Sequence, residues 1–300
     1  MTEIIRFTAR DSGDVAVGVR HGEEIYPISP TMGQLLRSPL DEIRHRCEHP
    51  SSRPAPARDV IELPPIDGRG EVWAAGVTYR RSREARIAES QASADVYARV
   101  YDAERPELFF KSASWRVVGP GEPIAIRSDS RIDVPEPELA LILNASGETV
   151  GYSICNDVSS RDIEGENPLY LPQAKTYLGS CALGPVVRPA WEIEDPYALG
   201  IAMSITRDGK PVWSGQTNTS LLHRRYDDLV NHLLRDNLFP DGVALSTGTC
   251  LVPGLDTTLQ AGDLVEIVID GIGTLANRVV RGTETLNWLA AERQPRPPRA

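Results

Sequence analysis

The sequence predicts a predominantly β fold with some helix, an α+β arrangement built on mixed sheets. Three observations lead there. Most apolar residues beyond Glu71 fall in short runs bounded by Gly, Pro, Asn or Asp, the pattern of short strands. Few stretches carry helical spacing. The 300 residues, 41% of them apolar, suffice to bury a full core, and no internal repeat divides them.

In chain order, Ile4-Ile5-Arg6-Phe7, Val15-Ala16-Val17-Gly18-Val19 and Ile25-Tyr26-Pro27-Ile28 read as strands of a small N-terminal unit. Residues 31–47 have helical spacing through Leu35, Leu36, Leu40 and Ile43. Prolines 50, 54, 56, 64 and 65 then mark a linker without periodicity. The expected boundaries are a small strand-rich domain and linker over 1–68, a main domain over 69–290 and a disordered tail over 291–300, where Pro295, Pro297 and Pro298 alternate with basic residues. The main domain opens with a strand at 72–75. A long helix over 80–103 follows, with i,i+4 pairs Val96/Val100 and Tyr97/Tyr101, ended by Pro106. Strands are then predicted at 108–110, 124–126, 139–143, 152–154, 185–187, 201–205 and 265–269, with an amphipathic helix through Leu222, Tyr226, Leu229, Val230 and Leu233.

A net charge of −10 argues against nucleic acid or an anionic membrane as a steady partner. A small ligand or a protein partner remains, and a small anion binds if the site carries its own cation. Cys47, Cys155, Cys181 and Cys250 have no metal-ligand spacing and read as reduced thiols. The opening residues carry charge at Glu3, Arg6, Arg10 and Asp11, and no apolar run is long enough to span a bilayer. The expectation is a cytoplasmic protein.

Asp133-Val134-Pro135-Glu136-Pro137-Glu138 places two carboxylates at the head of the apolar run 139–143. In a strand, residues i and i+2 share a face, so Glu136 and Glu138 converge and repel unless a cation lies between them. The alternative is a solvated strand end. Asp157 follows the strand-like run 151–156, at a separation that suits a returning antiparallel neighbour. Alone, it is as readily a turn cap. Three hard oxygen donors together suit Mg²⁺ or Mn²⁺. Ser159-Ser160-Arg161-Asp162 reads as a helix start.

Four pieces in order carry a resemblance: Glu136-Pro137-Glu138; Asn156-Asp157-Val158-Ser159-Ser160-Arg161-Asp162; Lys175 ahead of Gly179-Ser180; and Thr247-Gly248-Thr249 with Pro253-Gly254. Over roughly 71–285 the chain resembles the fumarylacetoacetate hydrolase family. That resemblance implies a mixed β-roll, a divalent metal held by Glu136, Glu138 and Asp157, and a homodimer or homotetramer.

Hydrolases and decarboxylases of that family carry a GxNYxxHxxE segment whose His and Glu activate water. The matching stretch here begins Gly76-Val77-Thr78-Tyr79, with Ser82 at the His position and Ala85 at the Glu position. Neutral serine is no substitute for imidazole as a base. Glu84 points about a hundred degrees away on a helix. The segments GVTY, DVYARVYDAERPELFFK, EPELALIL, NPLYLPQAK and GPVV are similar to the sugar-acid dehydratases of the family. Those enzymes convert a 2-keto-3-deoxypentonate to 2,5-dioxopentanoate, an elimination that needs no activated water.

On that resemblance, Glu107 is the candidate for proton transfer at C3 or C4, its alternative being an exposed helix-terminal acid. Lys175 is expected beside the metal, binding substrate oxygens or shuttling a proton; a Schiff base there ranks lower. Tyr79, Ser82, Lys111, Arg161 and Thr249 are candidate contacts for a small 2-oxo acid. Arg161 reads first as an ion-pair partner of Asp162, ahead of a substrate contact, and the backbone near Gly248 as a turn with free N–H groups suited to a carboxylate, its alternative being an ordinary turn. The competing functions are a diketo-acid hydrolase or isomerase of the same fold, and a noncatalytic binding protein that kept it.

Overall fold

The computed structural model describes residues 1–82, 84, 99–254 and 256–291. Strands dominate it. The chain opens with β1 (Thr2–Ala9), β2 (Val15–His21) and β3 (Glu24–Ser29), followed by helices Met32–Leu36 and Leu40–Glu48 and then β4 (Ala55–Pro56) and β5 (Val60–Leu63). β6 (Glu71–Gly76) and β7 (Glu107–Ala113) flank the segment 77–106. Next come β8 (Ile124–Ile126), β9 (Asp133–Val134), β10 (Pro137–Leu143), β11 (Thr149–Asp157) and β12 (Ser159–Ser160), then helices Arg161–Glu166 and Leu171–Lys175. The rest is β13 (Cys181–Pro189), the hairpin β14 (Gly200–Arg207) and β15 (Lys210–Asn218), helix Tyr226–Leu234, β16 (Val243–Ser246), β17 (Leu264–Ile269), β18 (Gly273–Arg281) and helix Asn287–Ala290.

Among the described residues, one sheet runs β4-β3-β2-β1-β13-β11-β10-β16-β6-β7, with β5 also paired to β1. A second runs β15-β14-β17-β18-β8, and β9 pairs with β12 alone. Most neighbours are antiparallel, while β16–β6 and β18–β8 are parallel, so the sheets are mixed. β10 sits between two cores. Its Leu139, Leu141 and Leu143 pack with Ile201, Met203 and Ile205 of β14 and with Val265, Ile267 and Ile269 of β17. Ala140 and Ile142, on the other face, pack with Ile4, Val17, Leu35 and Leu183. Burial on both faces explains why this strand reads as an unbroken apolar run. At about 1.5–3 kcal/mol per buried leucine, it anchors the register on which the acidic ends of β10 and β11 depend.

Several elements differ from the sequence expectation. The helix over 31–47 is two helices, because Pro39 has no N–H to continue the first and takes an extended ψ of 153° ahead of the second. The proline-rich stretch holds two short strands, and β5 pairs with β1 from Arg6↔Leu63 to Ala9↔Val60. Through Ile4↔Val187, β1 joins the same sheet as the main strands. The later helix starts at Tyr226, while Leu222 forms an isolated bridge with Tyr79. Most of the predicted helix over 80–103 lies outside the described residues, as does the tail beyond 291; of the helix, 80–82, 84 and 99–102 are described and helical.

Candidate active site

Pairing of β10 with β11 sets Glu138 opposite Cys155 and Pro137 opposite Asn156. One step further, Asp157 N–H donates to Glu136 O at 3.0 Å, which brings the third acid level with the first. Glu136, Glu138 and Asp157 are all buried, and each offers one carboxylate oxygen within 4.8 Å of the others'. The strand reading of the two glutamates and of the returning aspartate therefore matches the geometry, except that Asp157 closes β11 rather than following it.

Each acid has fixed partners. Lys175 Nζ donates to Glu136 Oε2 at 2.9 Å, Asp157 Oδ2 at 2.8 Å and Ser159 Oγ at 2.6 Å. Arg161 Nη2 lies 2.6 Å from Glu136 Oε1, and its Nη1 lies 3.4 Å from Glu164 Oε2. Lys111 Nζ is 2.5 Å from Asp157 Oδ1, an ionic contact rather than an aligned hydrogen bond, and donates to Val158 O and Lys175 O. Glu138 receives Ser246 Oγ at 2.5 Å and Gly248 N–H at 2.8 Å.

These environments push the acids apart. Burial, then repulsion from Asp157 and Glu136, drives the Glu138 carboxyl well above the usual range. Burial would raise Asp157 too, but the charges of Lys111 and Lys175 outweigh it and hold that carboxyl below its ordinary value. Among the described residues around the cleft, Glu107, Glu136, Glu138, Asp157 and Glu164 meet Lys111, Arg161 and Lys175. Three clustered, buried hard oxygens fit a divalent cation such as Mg²⁺ or Mn²⁺.

The triad opens on a narrow cleft, which Glu107, Lys175, Ser82 and Thr249 also line. Glu107 begins β7 opposite Gly76, and a Cβ on Gly76 would come within 2.1 Å of Glu107 Oε2. The bare α-carbon makes room for that carboxylate. Ser82 Oγ donates to Tyr79 O at 2.8 Å, while Thr249 Oγ1 donates to Leu251 O and accepts from Leu251 N–H. Val77, also on the wall, has φ of 51°, a strained value for a β-branched residue. The adjacent Thr78 Oγ1 donates to Thr247 O at 2.6 Å and holds that turn.

Other candidates stand behind the wall. Lys111 backs Asp157, Arg161 backs Glu136, and Tyr79 is buried with its hydroxyl lacking a hydrogen-bond partner among the described residues. Arg161 does not pair with Asp162, which instead binds Ser130, Ser160 and Arg131, because the helix turn sends adjacent side chains to different sides. Nor is Gly248 N–H free, since Glu138 takes it. Glu84 is exposed and paired with Arg80 at 2.9 Å, away from the cleft. Glu164 is a cleft residue that the sequence reading missed; its i,i+3 spacing from Arg161 is the signal that marks it.

The fumarylacetoacetate (FAA) hydrolase C-terminal family matches residues 71–280. The chain is 48% identical over 224 residues to the 2-dehydro-3-deoxy-D-arabinonate dehydratase of Saccharolobus solfataricus, covering 74% of this chain and 75% of that one. It is 52% identical over 215 residues to a probable 2-keto-3-deoxyxylonate dehydratase of Haloferax volcanii, covering 72% and 73%. A solved 2-keto-3-deoxy-D-arabinonate dehydratase complexed with magnesium and 2,5-dioxopentanoate is similar at TM-score 0.81 and 36% identity, covering 94% of this chain and 99% of that chain.

Proposed function

Because the chain belongs to the fumarylacetoacetate hydrolase family, we propose that it is a Mg²⁺-dependent dehydratase that converts a 2-keto-3-deoxypentonate to 2,5-dioxopentanoate. The observation that carries this reading is the meeting of three buried carboxylates with Glu107 and Lys175 on one cleft, in a chain about half identical to such dehydratases.

Glu136, Glu138 and Asp157 would hold the ion. A Mg²⁺ held there would supply a positive charge that lowers the energy of the negative charge left when the C3 proton departs. The residues of the chain handle the protons. Loss of water takes the C3 proton and the C4 hydroxyl; a C5 proton and the C5 hydroxyl proton are then given up while C3 and C4 each gain a proton, which yields the aldehyde. Glu107, over the cleft at the bare Gly76, is the group assigned to accept and return a proton at C3 or C4. Lys175 has three acceptors around Nζ, which suits a charged ammonium that orients oxygens rather than a nucleophilic amine forming a Schiff base. Ser82 and Thr249 are assigned to substrate hydroxyl and carboxylate contacts. Lys111, Arg161 and Tyr79 act from behind, through the groups they hold.

A diketo-acid hydrolase would need a base for water. Of the two acids weighed for that role, Glu84 turns away to Arg80 and Glu107 is the one on the cleft wall. C4 is the sole stereocentre left in the substrate, so the arabinonate and xylonate names among the relatives describe one compound within the D series and C4 separates D from L alone. The same reading has residues 1–68 as a small N-terminal domain before a catalytic domain over 69–290, and the enzyme as a cytoplasmic homodimer or homotetramer. Among the described residues no helix is long and apolar enough to cross a membrane. The Glu107→Gln variant tests the assignment: it is expected to keep Mg²⁺ affinity and lose turnover by about a hundredfold or more. Retained turnover would remove Glu107 from the chemistry.

A further inference from the structure

Ser82 and Glu107, two residues of the cleft wall, stand near the two ends of one chain segment that leaves β6 through the 77–79 turn and returns into β7. A single short stretch between β15 and helix Tyr226–Leu234 grips both ends from outside. At the outgoing end, Leu222 bridges Tyr79, and His223 N–H donates to Thr78 O at 2.9 Å. At the returning end, Arg224 spreads its guanidinium over the close of a helix. Its Nη2 donates to Val100 O at 3.1 Å and Ala103 O at 2.5 Å, and its Nη1 to Glu104 O at 3.3 Å. Residues 99–102 are helical, so these carbonyls lie where a helix runs out of its own donors and presents the negative end of its dipole.

The cation is itself held. Arg224 is 9% exposed at its side chain and has Asp228 Oδ2 3.3 Å from Nη1. Beside it the His223 ring stacks on Tyr101 with centroids 4.2 Å apart and planes 16° from parallel. The stretch behind is anchored in turn: Leu222 N–H donates to Thr219 O, and Thr219 N–H to Leu199 O. Glu104 is three residues ahead of Glu107, so whatever fixes the helix end fixes the entry of the chain into β7.

We propose that Arg224 is a positioning residue for the reaction: its three-carbonyl cap sets the place of the Glu107 carboxylate over the cleft. This rests on the assignment of Glu107 as the proton-transfer group. A planar fork reaches several carbonyls at once, which a lysine ammonium on a flexible stem does not reproduce. Without the cap the helix end opens locally, and a carboxylate displaced by about 1 Å loses on the order of a hundredfold in rate. The triad, Ser82 and Thr249 are untouched, so substrate and metal affinity should stay.

The test compares the full-length wild type, Arg224→Ala, Arg224→Lys and Glu107→Gln with Mg²⁺ and both C4 epimers of 2-keto-3-deoxypentonate, alongside hydrogen exchange of residues 99–107. Arg224→Ala is expected to lose about tenfold or more in kcat with KM and Mg²⁺ affinity within about twofold of wild type. Added guanidinium ion should restore part of that kcat to Arg224→Ala and none to Glu107→Gln, while Arg224→Lys stays slow. Wild-type kcat in Arg224→Ala, or a fall in kcat matched by a loss of Mg²⁺ binding and of melting temperature, would overturn the proposal. If the wild type turns over neither epimer, the dehydratase reading fails instead, and exchange decides the clamp: faster exchange over 99–107 in Arg224→Ala supports it and unchanged exchange overturns it.

Discussion

At the scale of single residues, the site works by setting like charges against one another. The ionised form of Glu138 is disfavoured, since burial and two neighbouring carboxylates oppose it while, among the described residues, Ser246 and Gly248 donate to it. A divalent cation reverses that balance, so Glu138 should gain most from the metal. Glu138→Gln keeps the shape and removes the charge, and calorimetric titration with Mg²⁺ is expected to show affinity lower by about a hundredfold or more, at the strong end of metal-site effects. An affinity within a few fold of wild type would mean that Glu138 does not hold the ion. The i,i+2 spacing made Glu136 and Glu138 legible in the sequence, because strand geometry alone puts them on one face. Glu164 was hidden for the opposite reason: an acid in a short polar helix looks solvated until tertiary packing buries it against Arg161.

At the scale of elements, two strands and a turn deliver the chemistry. β6 and β7 pair Gly76 with Glu107, and the space over Gly76 is filled by the Glu107 carboxylate. Gly76→Ala would place a methyl group where that carboxylate lies, so the side chain must swing away. Turnover is expected to fall about tenfold or more with Mg²⁺ affinity unchanged, measured by steady-state kinetics and calorimetry. An unaffected kcat would show that the observed place of Glu107 is not the one the reaction uses. The strands behind this arrangement were readable where they are buried and apolar, as with β10. β4 and β5 were not, because prolines mask the short pairings that flank them. β15 was missed for another reason: as an edge strand with exposed Lys210, Pro211 and Val212 it lacks the alternation that betrays a half-buried strand.

At the scale of the whole molecule, one buried acid works against stability at neutral pH. Asp133 is fully buried, and burial outweighs the nearby Ser130 hydroxyl and the charge of Arg281 to push its carboxyl up to about 6. A carboxyl raised above its unfolded value favours the fold when protonated, and that advantage is lost as pH climbs from about 4 through about 6. Asp133→Asn should therefore melt higher than wild type at pH 8, with the gap closing toward pH 4 in a thermal-melt series. A gap that is absent, or that widens as the pH falls, would assign Asp133 a charged partner. Asp241 pulls the other way: hydrogen bonds from Arg69 and Arg37 outweigh burial and hold its carboxyl well below the usual range, stabilising the fold above that range and not in acid. The overall class, mixed sheets with few helices, was legible from short apolar runs. Continuity of the N-terminal strands with the main sheet was not, since it rests on the contact of β1 with β13, far apart in sequence.

The central claim is that the triad and the cleft perform a metal-dependent elimination. An NMR time course of the protein with Mg²⁺ and each C4 epimer of 2-keto-3-deoxypentonate, run beside Glu138→Gln, tests it most directly. The account predicts 2,5-dioxopentanoate from one epimer with the wild type and none with the variant. No product from either epimer would contradict it.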